Sequence, residues 1–237
     1  STSLFTGNRL TVGLDYMRFG GEAWNRFITD RHKENISDKS ENEIAGYVDF
    51  RQAIGSHLTI DAGIRADHHT VSGTEWIPQV GLSVQLPHNA SLKAMASKGF
   101  RNPTIRELYM FRPANPDLLP ERLWNYELSY SQRLFDQTFY YGVNLFYING
   151  DNMIQTIRTD VRPLNVNTGK VEHWGAEASI AYHIHPTWNL TANYSWLHME
   201  HPLVAAPEHK LYAGIDYTKG KWNFSTGIQY VAGLYTV

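Results

Sequence analysis

Residues 188–196 read WNLTANYSW, and in this stretch apolar and polar side chains alternate without a break. The apolar positions are Trp188, Leu190, Ala192, Tyr194 and Trp196. Successive side chains of a β-strand point to opposite faces, so a period of two predicts a strand with one apolar and one polar face. Two unlike faces are typical of an antiparallel sheet.

The same alternation recurs along most of the 237 residues. Eleven strands are predicted when weaker segments near 90–98 and 171–184 are included. The clearest apolar sets are Leu10/Val12/Leu14/Tyr16, Ile44/Val48/Phe50, Leu58/Ile60/Ala62/Ile64, Val80/Leu82/Val84/Leu86, Trp124/Tyr126/Leu128/Tyr130, Val143/Leu145/Tyr147, Leu211/Ala213/Ile215 and Trp222/Phe224/Ile228/Tyr230. The pattern predicts an all-β fold of antiparallel strands.

The predicted connections fall into two classes that alternate along the chain. Short connections are expected at 55–57, 87–89, 135–137, 185–187 and 218–221, and long ones near 20–40, 69–75, 99–122, 150–170 and 200–208. An up-and-down meander with tight turns at one end and long loops at the other is typical of an outer-membrane barrel. A soluble β-sandwich shows no such regularity.

The chemistry of the two strand faces also favours a barrel. The apolar faces are aliphatic in the middle of the strands and aromatic at the ends, as in 188–196. The opposite faces carry Asp61, Glu127, Asn144 and Asn193. In a barrel the first set faces lipid and the second lines a wet lumen, whereas in a soluble fold the first set forms a core. The combination predicts a transmembrane β-barrel, with Leu10, Val12, Val48, Ile60, Leu128, Val143, Leu190 and Ile215 facing lipid.

Composition argues against several functional classes. The net charge of −2 disfavours a nucleic-acid-binding protein, which carries a basic excess. There is no cysteine and no run of 18 apolar residues, which excludes disulfides and a membrane-spanning helix. No Gly-x-Ser-x-Gly elbow, zinc-helix motif or phosphate loop is present, so we predict that the chain is not an enzyme. The 11 histidines form no set of fixed spacing with carboxylates, so neither a metal site nor a cofactor is predicted.

The segment GFRNPTIRELYMFRPANPDLLPERLWNYELSYS, residues 99–131, joins two strands through a proline-rich loop. Pro103 has no amide donor and holds the preceding residue extended, so strand pairing is expected to stop there. Asn115 and Pro116 form a turn signal, and Pro120 lies just before the chain pairs again. Long loops of this kind either carry function or are disordered.

The same segment resembles the hallmark region of TonB-dependent outer-membrane receptors. The matching positions, in order, are Phe100-Arg101-Asn102-Pro103, Asn115-Pro116-Asp117-Leu118, Pro120-Glu121 and Asn125-Tyr126-Glu127. Later stretches, NTGKVEHWGAEASIAY, LTANYSWLHME and PEHKLYAGIDY, are similar to strands of that family. The resemblance covers essentially the whole chain.

The resemblance implies that residues 1–237 are the C-terminal part of a 22-stranded barrel. In the parent receptor an N-terminal plug fills this barrel, and neither the plug nor the final strand is expected in the chain. It further implies a protein of the bacterial outer membrane, in contact with lipid and with the TonB complex. Such a receptor takes up a scarce chelate of the siderophore, haem or cobalamin type, and the fragment alone would be inactive. Its two free edge strands are expected to form an edge-paired oligomer or a smaller barrel.

Within this framework the loop supplies the candidate binding residues. Those that we expect to contact cargo are Arg101, Arg106, Glu107, Tyr109, Phe111 and Arg112. The three arginines would favour an anionic chelate, and Tyr109 is the one candidate iron ligand, since residues 104–114 lack the histidine found in haem-transporting members. Alternatively, the arginines pair with Glu107, Asp117 and Glu121 and only stiffen the loop. The competing class is a passive porin or a structural or adhesive barrel, neither of which needs these motifs.

Overall fold

The computed structural model describes residues 2–110, 113–202 and 206–234. The chain forms one antiparallel sheet of eleven strands in sequential order. Its elements are β1 (Asn8–Arg26), β2 (Lys33–Ile54), β3 (Leu58–His69), β4 (Gly73–Leu86), β5 (Ala90–Arg101), α1 (Ile105–Tyr109), β6 (Glu121–Leu134), β7 (Phe139–Arg158), β8 (Pro163–His185), β9 (Trp188–Met199), β10 (Pro207–Lys219) and β11 (Trp222–Leu234). The prediction of an all-β fold with eleven antiparallel strands is confirmed.

The two predicted classes of connection are only partly correct. Residues 20–26, 33–40, 150–158 and 163–170 were expected in loops but belong to strands, and the connections there shrink to 27–32 and 159–162. As a result β1, β2, β7 and β8 are long, with 19 to 23 residues, whereas the other strands have 12 to 14. In these outer parts the backbone hydrogen-bond ladder of each hairpin continues, although the sequence there is rich in polar residues. Among the connections between the described strands, 102–120 is the longest.

We call the end of the sheet that carries residues 27–32, 70–72, 102–120, 159–162 and 200–206 the loop rim, and the opposite end the turn rim. At the turn rim the connections are tight and use left-handed backbone conformations. Gly55 has a φ of 59° and Asn89 a φ of 56°. Glycine and asparagine tolerate this region best, which explains their place in these hairpins.

The strand register confirms that the two predicted sets of side chains lie on opposite faces. Directly paired residues of an antiparallel sheet share a face. Val12 pairs with Val48, Leu128 with Leu145, and Leu190 with Ile215. On the other face Asn144 pairs with Ser129 and Glu177. A slip by one residue would exchange the two faces, so the register and the hydrophobic pattern support each other.

The apolar face is open, and the polar face is concave. Leu14 is 83% exposed and Ile228 is 68% exposed, because no second sheet covers this face among the described residues. A concavity of about 660 Å³ runs along the polar face and includes Lys93 on β5, Asn144 on β7 and Gln229 on β11. The sheet therefore curves toward its polar side, as a barrel wall does.

β1 and β11 are the edges of the sheet in the part of the chain that the structure describes. Pairing of these edges in an isolated fragment stays a prediction. The described residues include no helix long and apolar enough to cross a membrane.

Candidate functional site

The loop 102–120 begins with a short capped helix, α1. Thr104 is its N-cap, and the Glu107 backbone N–H donates to Thr104 Oγ1 at 3.2 Å. In return the Thr104 backbone N–H donates to Glu107 Oε2 at 2.8 Å. This reciprocal pair is a capping box, encoded by Thr104-Ile105-Arg106-Glu107. The sequence interpretation treated the whole segment as loop and missed α1, although this four-residue signal was present.

Arg101, the last residue of β5, joins the helix to β6 through two carboxylates. Its Nε donates to Glu121 Oε2 at 2.6 Å. Its two terminal nitrogens donate to Glu107, at 2.9 and 3.2 Å. Burial alone would raise the pKa of Glu107, but hydrogen bonds from Arg101 and Thr104 outweigh it and lower the pKa. Arg101, Glu107 and Glu121 therefore form one ionic unit that fixes the start of the loop.

The buried side of α1 packs against the β1–β2 hairpin. Leu108 is 1% exposed and Ile105 is 8% exposed. Met110 lies so close to Gly21 that a Cβ at Gly21 would come within 2.5 Å of Met110 Cε. Lys39 Nζ lies 5.3 Å from the centre of the Tyr109 ring, a cation–π distance. These contacts place α1 on the polar face of the sheet, since Gly21 and Lys39 are directly paired in the register.

The second half of the loop is attached to β8. Asn115 Nδ2 donates to the Asn165 carbonyl at 2.8 Å, and the Asn165 N–H donates to the Pro113 carbonyl at 2.9 Å. Asn167 exchanges two hydrogen bonds of 2.8 Å with the backbone of Leu119. The loop thus spans the polar face between the two long hairpins, β1–β2 and β7–β8, and is held at both.

Two cavities lie beside α1 at the loop rim. The larger, which we call the α1 cavity, has a volume of about 720 Å³. Its apolar lining includes Met17, Phe19, Phe100, Ile105 and Met110. The smaller, of about 440 Å³, lies toward Pro113 and Ile154. Arg106 and Met110 line both cavities. Both volumes are in the range of small-molecule sites.

The structure brings four of the six predicted binding residues into this region. Arg106 is exposed and points at both cavities, whereas Arg101 and Glu107 are engaged with each other. Burial, and then the nearby Glu41 carboxylate, raise the pKa of Tyr109. A raised pKa works against the phenolate form that would bind iron. Phe111 and Arg112 lie outside the described residues, and binding by any of the six stays a prediction.

The hallmark residues have structural roles. Pro103 and Pro120 are fully buried, and Leu118 is 3% exposed. Asn115 Oδ1 accepts the Asp117 N–H at 3.0 Å, which confirms the turn expected at Asn115-Pro116. In the strand that follows, Asn125 Nδ2 donates to Glu127 Oε1 at 2.6 Å. Tyr126 lies on the apolar face, between the rings of Trp124 and Tyr147. The motif therefore shapes the loop and its return into the sheet.

Buried charges on β2, β3 and β4 were missed by sequence reasoning. Glu41 and His69 are almost fully buried, with Oε2 and Nε2 3.1 Å apart. His69 Nδ1 accepts the N–H groups of Val71 and Ser72, and Nε2 lies on the side of the ring that faces Glu41. Asp67 is bound by Arg65 at 2.9 Å. The sequence pattern does not single out these pairs. Glu41 and His69 lie on different strands, and Arg65 and Asp67 occupy alternate positions of β3, as polar residues do along any polar strand face.

A second group of charged residues that the sequence analysis does not predict lies where the pairing of β4 with β5 stops. The pairing of β4 with β5 runs from Leu86/Ala90 only to Gln79/Ser97, although both strands continue toward the loop rim. Beyond it Pro78 lacks an amide donor, and the Glu75 carboxylate bridges Lys98, at 3.0 Å, and Arg122. Side-chain ion pairs replace the backbone ladder at this point.

Comparison with known proteins agrees with this architecture. The family model of the TonB dependent receptor-like β-barrel matches residues 1–236. The iron-regulated outer membrane virulence protein of Vibrio cholerae is 24% identical over 87% of this chain, and the match covers 36% of that protein. The vitamin B12 transporter BtuB of Photobacterium profundum is 28% identical over 52% of this chain and 20% of its own.

Among solved structures, a variant of the ferric enterobactin receptor PfeA from Pseudomonas aeruginosa superposes with a TM-score of 0.82. The superposition covers 97% of this chain and 40% of the receptor at 16% identity, a level that supports the fold alone. The chain thus spans well under half the length of these relatives. With the family model matching almost every residue of a curved, two-faced antiparallel sheet, the chain belongs to the TonB-dependent receptor-like β-barrel family of the bacterial outer membrane.

Proposed function

We propose that the protein is a TonB-dependent uptake receptor that captures a scarce chelate and passes it inward. The observation that carries this proposal is the loop 102–120, fixed across the concave face between two cavities. A loop fixed across the lumen side narrows the path that passive flow would take. A binding protein gains preformed walls, which lower the entropic cost of holding a ligand.

In this proposal the loop rim faces the outside of the cell, and the chain is part of a longer receptor. The concave face would hold a plug, and the TonB complex would supply the energy for transport. Family membership and the 36% coverage of a relative's length support both partners. The names of the relatives support an iron chelate or a cobalamin as cargo.

Within the loop we assign two kinds of role. Arg106 and Tyr109 contact cargo, together with Phe111 and Arg112. Arg101 and Glu107 position the helix that carries them. The exposure of Arg106 in both cavities and the closed pairing of Arg101 with Glu107 and Glu121 support this division.

The proposal is tested by uptake in cells whose only candidate receptor is this protein. Radiolabelled ferric siderophores and cyanocobalamin are supplied with and without a protonophore that de-energises the inner membrane. We expect at least one cargo to accumulate only in energised cells. Accumulation that persists after de-energising would identify a passive porin, and no saturable binding of any chelate would indicate a structural barrel.

A further inference from the structure

The α1 cavity has an apolar wall and a charged wall. Met17, Phe19 and Met110 line one part of it, and the apolar atoms make up most of its exposed lining. The charged side chains that line it are Glu43, Arg65, Asp67 and Arg106. Two of these are cations and two are anions, so the cavity carries no net charge from its lining.

The four charges differ in how they are satisfied. Arg65 and Asp67 bind each other, with Arg65 Nε and Nη2 at 3.1 and 2.9 Å from Asp67 Oδ2. Glu43 accepts only the neutral amide of Asn102, at 3.3 Å, and forms no ion pair with any described residue. The Arg106 guanidinium has neither an ion pair nor a hydrogen bond within the described parts of the chain. One carboxylate and one guanidinium thus remain available to a ligand.

The surroundings add no excess of positive charge. Arg101 is offset by Glu107 and Glu121, and Asp15 adds a second carboxylate to Arg65. A ligand with several negative charges would gain from Arg106 but would be repelled by Glu43. A ligand that carries one charge of each sign satisfies both groups.

We propose that the α1 cavity binds an amphipathic zwitterion. Its anionic group would pair with Arg106, its ammonium group with Glu43, and its apolar body would pack against Met17, Phe19 and Met110. An amino-acid or short-peptide portion of a chelate has this chemistry. The proposal rests on the uptake function above, since the zwitterion is the portion of the cargo that the α1 cavity would recognise.

The test uses the protein as the cell makes it, purified in detergent, and four peptides of almost equal size. Phe-Leu carries both charges, N-acetyl-Phe-Leu only the negative one, Phe-Leu-amide only the positive one, and N-acetyl-Phe-Leu-amide neither. Affinities are measured by isothermal titration calorimetry. We expect Phe-Leu to bind best, with each missing charge lowering affinity about tenfold or more.

Two variants test which protein side chain pairs with each charged group of the peptide. Arg106→Gln is expected to weaken Phe-Leu and N-acetyl-Phe-Leu about tenfold and to leave Phe-Leu-amide unchanged. Glu43→Gln is expected to weaken Phe-Leu and Phe-Leu-amide and to leave N-acetyl-Phe-Leu unchanged. Arg9→Gln removes an exposed cation near the turn rim and serves as the matched control, with no change expected for any peptide.

Equal affinity for all four peptides, or no measurable binding of Phe-Leu, would overturn the proposal. So would a loss that is the same for every peptide in both variants, because it would indicate a structural defect. These measurements do not involve transport. Energised uptake without peptide selectivity would reject the zwitterion site alone, and peptide selectivity without energised uptake would reject the uptake function alone.

Discussion

Arg101 and Arg106 belong to the same short segment, yet their guanidinium groups have different surroundings. Arg101 donates three hydrogen bonds to two carboxylates, whereas Arg106 is exposed beside two cavities. The two alternatives for the loop arginines, stiffening the loop and contacting cargo, therefore apply to different residues. Side-chain surroundings, rather than residue type, divide the roles.

Substitution of the two arginines separates these roles. We expect Arg101→Gln to lower the free energy of unfolding by about 1–2 kcal/mol, a value reduced from that of a buried ion pair because the side chain is 45% exposed. Arg106→Gln should leave stability unchanged. Thermal unfolding of both variants in detergent measures the difference. Equal loss of stability in the two variants would mean that Arg106 also stiffens the loop.

Glu107 makes the ionic unit sensitive to acid. Its pKa is lower in the folded protein than in the unfolded chain, where it is about 4.3. The stabilisation is therefore present above about pH 4.3 and is lost as the pH falls through the lower folded value. Melting temperatures of the wild type and Glu107→Gln should differ at pH 7 and approach each other as the pH falls below about 4.3. A difference that stays constant down to pH 3 would exclude the carboxylate as its source.

At the scale of elements, the loop is held by the hairpins beside it. Asn167 on β8 accepts from the Leu119 N–H, and its Nδ2 donates to the carbonyls of Leu119 and Asn152. A single side chain thus joins three backbone groups, two of them in the loop and one in β7. Its position holds the second half of the loop against β7 and β8.

Asn167→Ala should release the second half of the loop. We expect amide hydrogen exchange at Leu119 to accelerate at least about tenfold, because each lost hydrogen bond contributes roughly 0.5–1.5 kcal/mol. Exchange in α1 should change little, since that half is held by β1 and β2. Asn149→Ala, at an exposed position of β7, is the control. Unchanged exchange at Leu119 would show that the prolines alone fix the loop.

At the scale of the whole molecule, the two faces of the sheet meet different solvents. Leu128 and Met95 lie on adjacent strands, are 45% and 41% exposed, and occupy opposite faces. Both are apolar, so only the face distinguishes them. They offer a direct comparison of a lipid-facing with a lumen-facing position.

Leu128→Lys should destabilise the protein by about 2–4 kcal/mol, because it places a charge in the lipid. Met95→Lys should have little effect, since its face already carries Lys93 and Glu127. Urea unfolding in lipid vesicles, followed by tryptophan fluorescence, measures both. Equal destabilisation by the two lysines would mean that the apolar face does not meet lipid.

The strands, their two faces and the family can be predicted from the amino-acid sequence alone. These features are periodic or local: alternation repeats every two residues, Pro103 ends a ladder, and Asn115-Pro116 turns the chain. The capping box at Thr104 was equally local and could have predicted α1. The lengths of β1, β2, β7 and β8 were harder to predict, because their outer parts are rich in polar residues and resemble loops.

Three-dimensional packing determines which charges are available to a ligand. Arg101 meets Glu121 across paired strands, Arg65 of β3 meets Asp15 of β1, and Glu43 meets Asn102 of a loop that is distant in sequence. Each pairing depends on which strand ends lie side by side at the loop rim and on where α1 packs. Strand curvature and long-range packing set these distances, and no periodic or local signal encodes them.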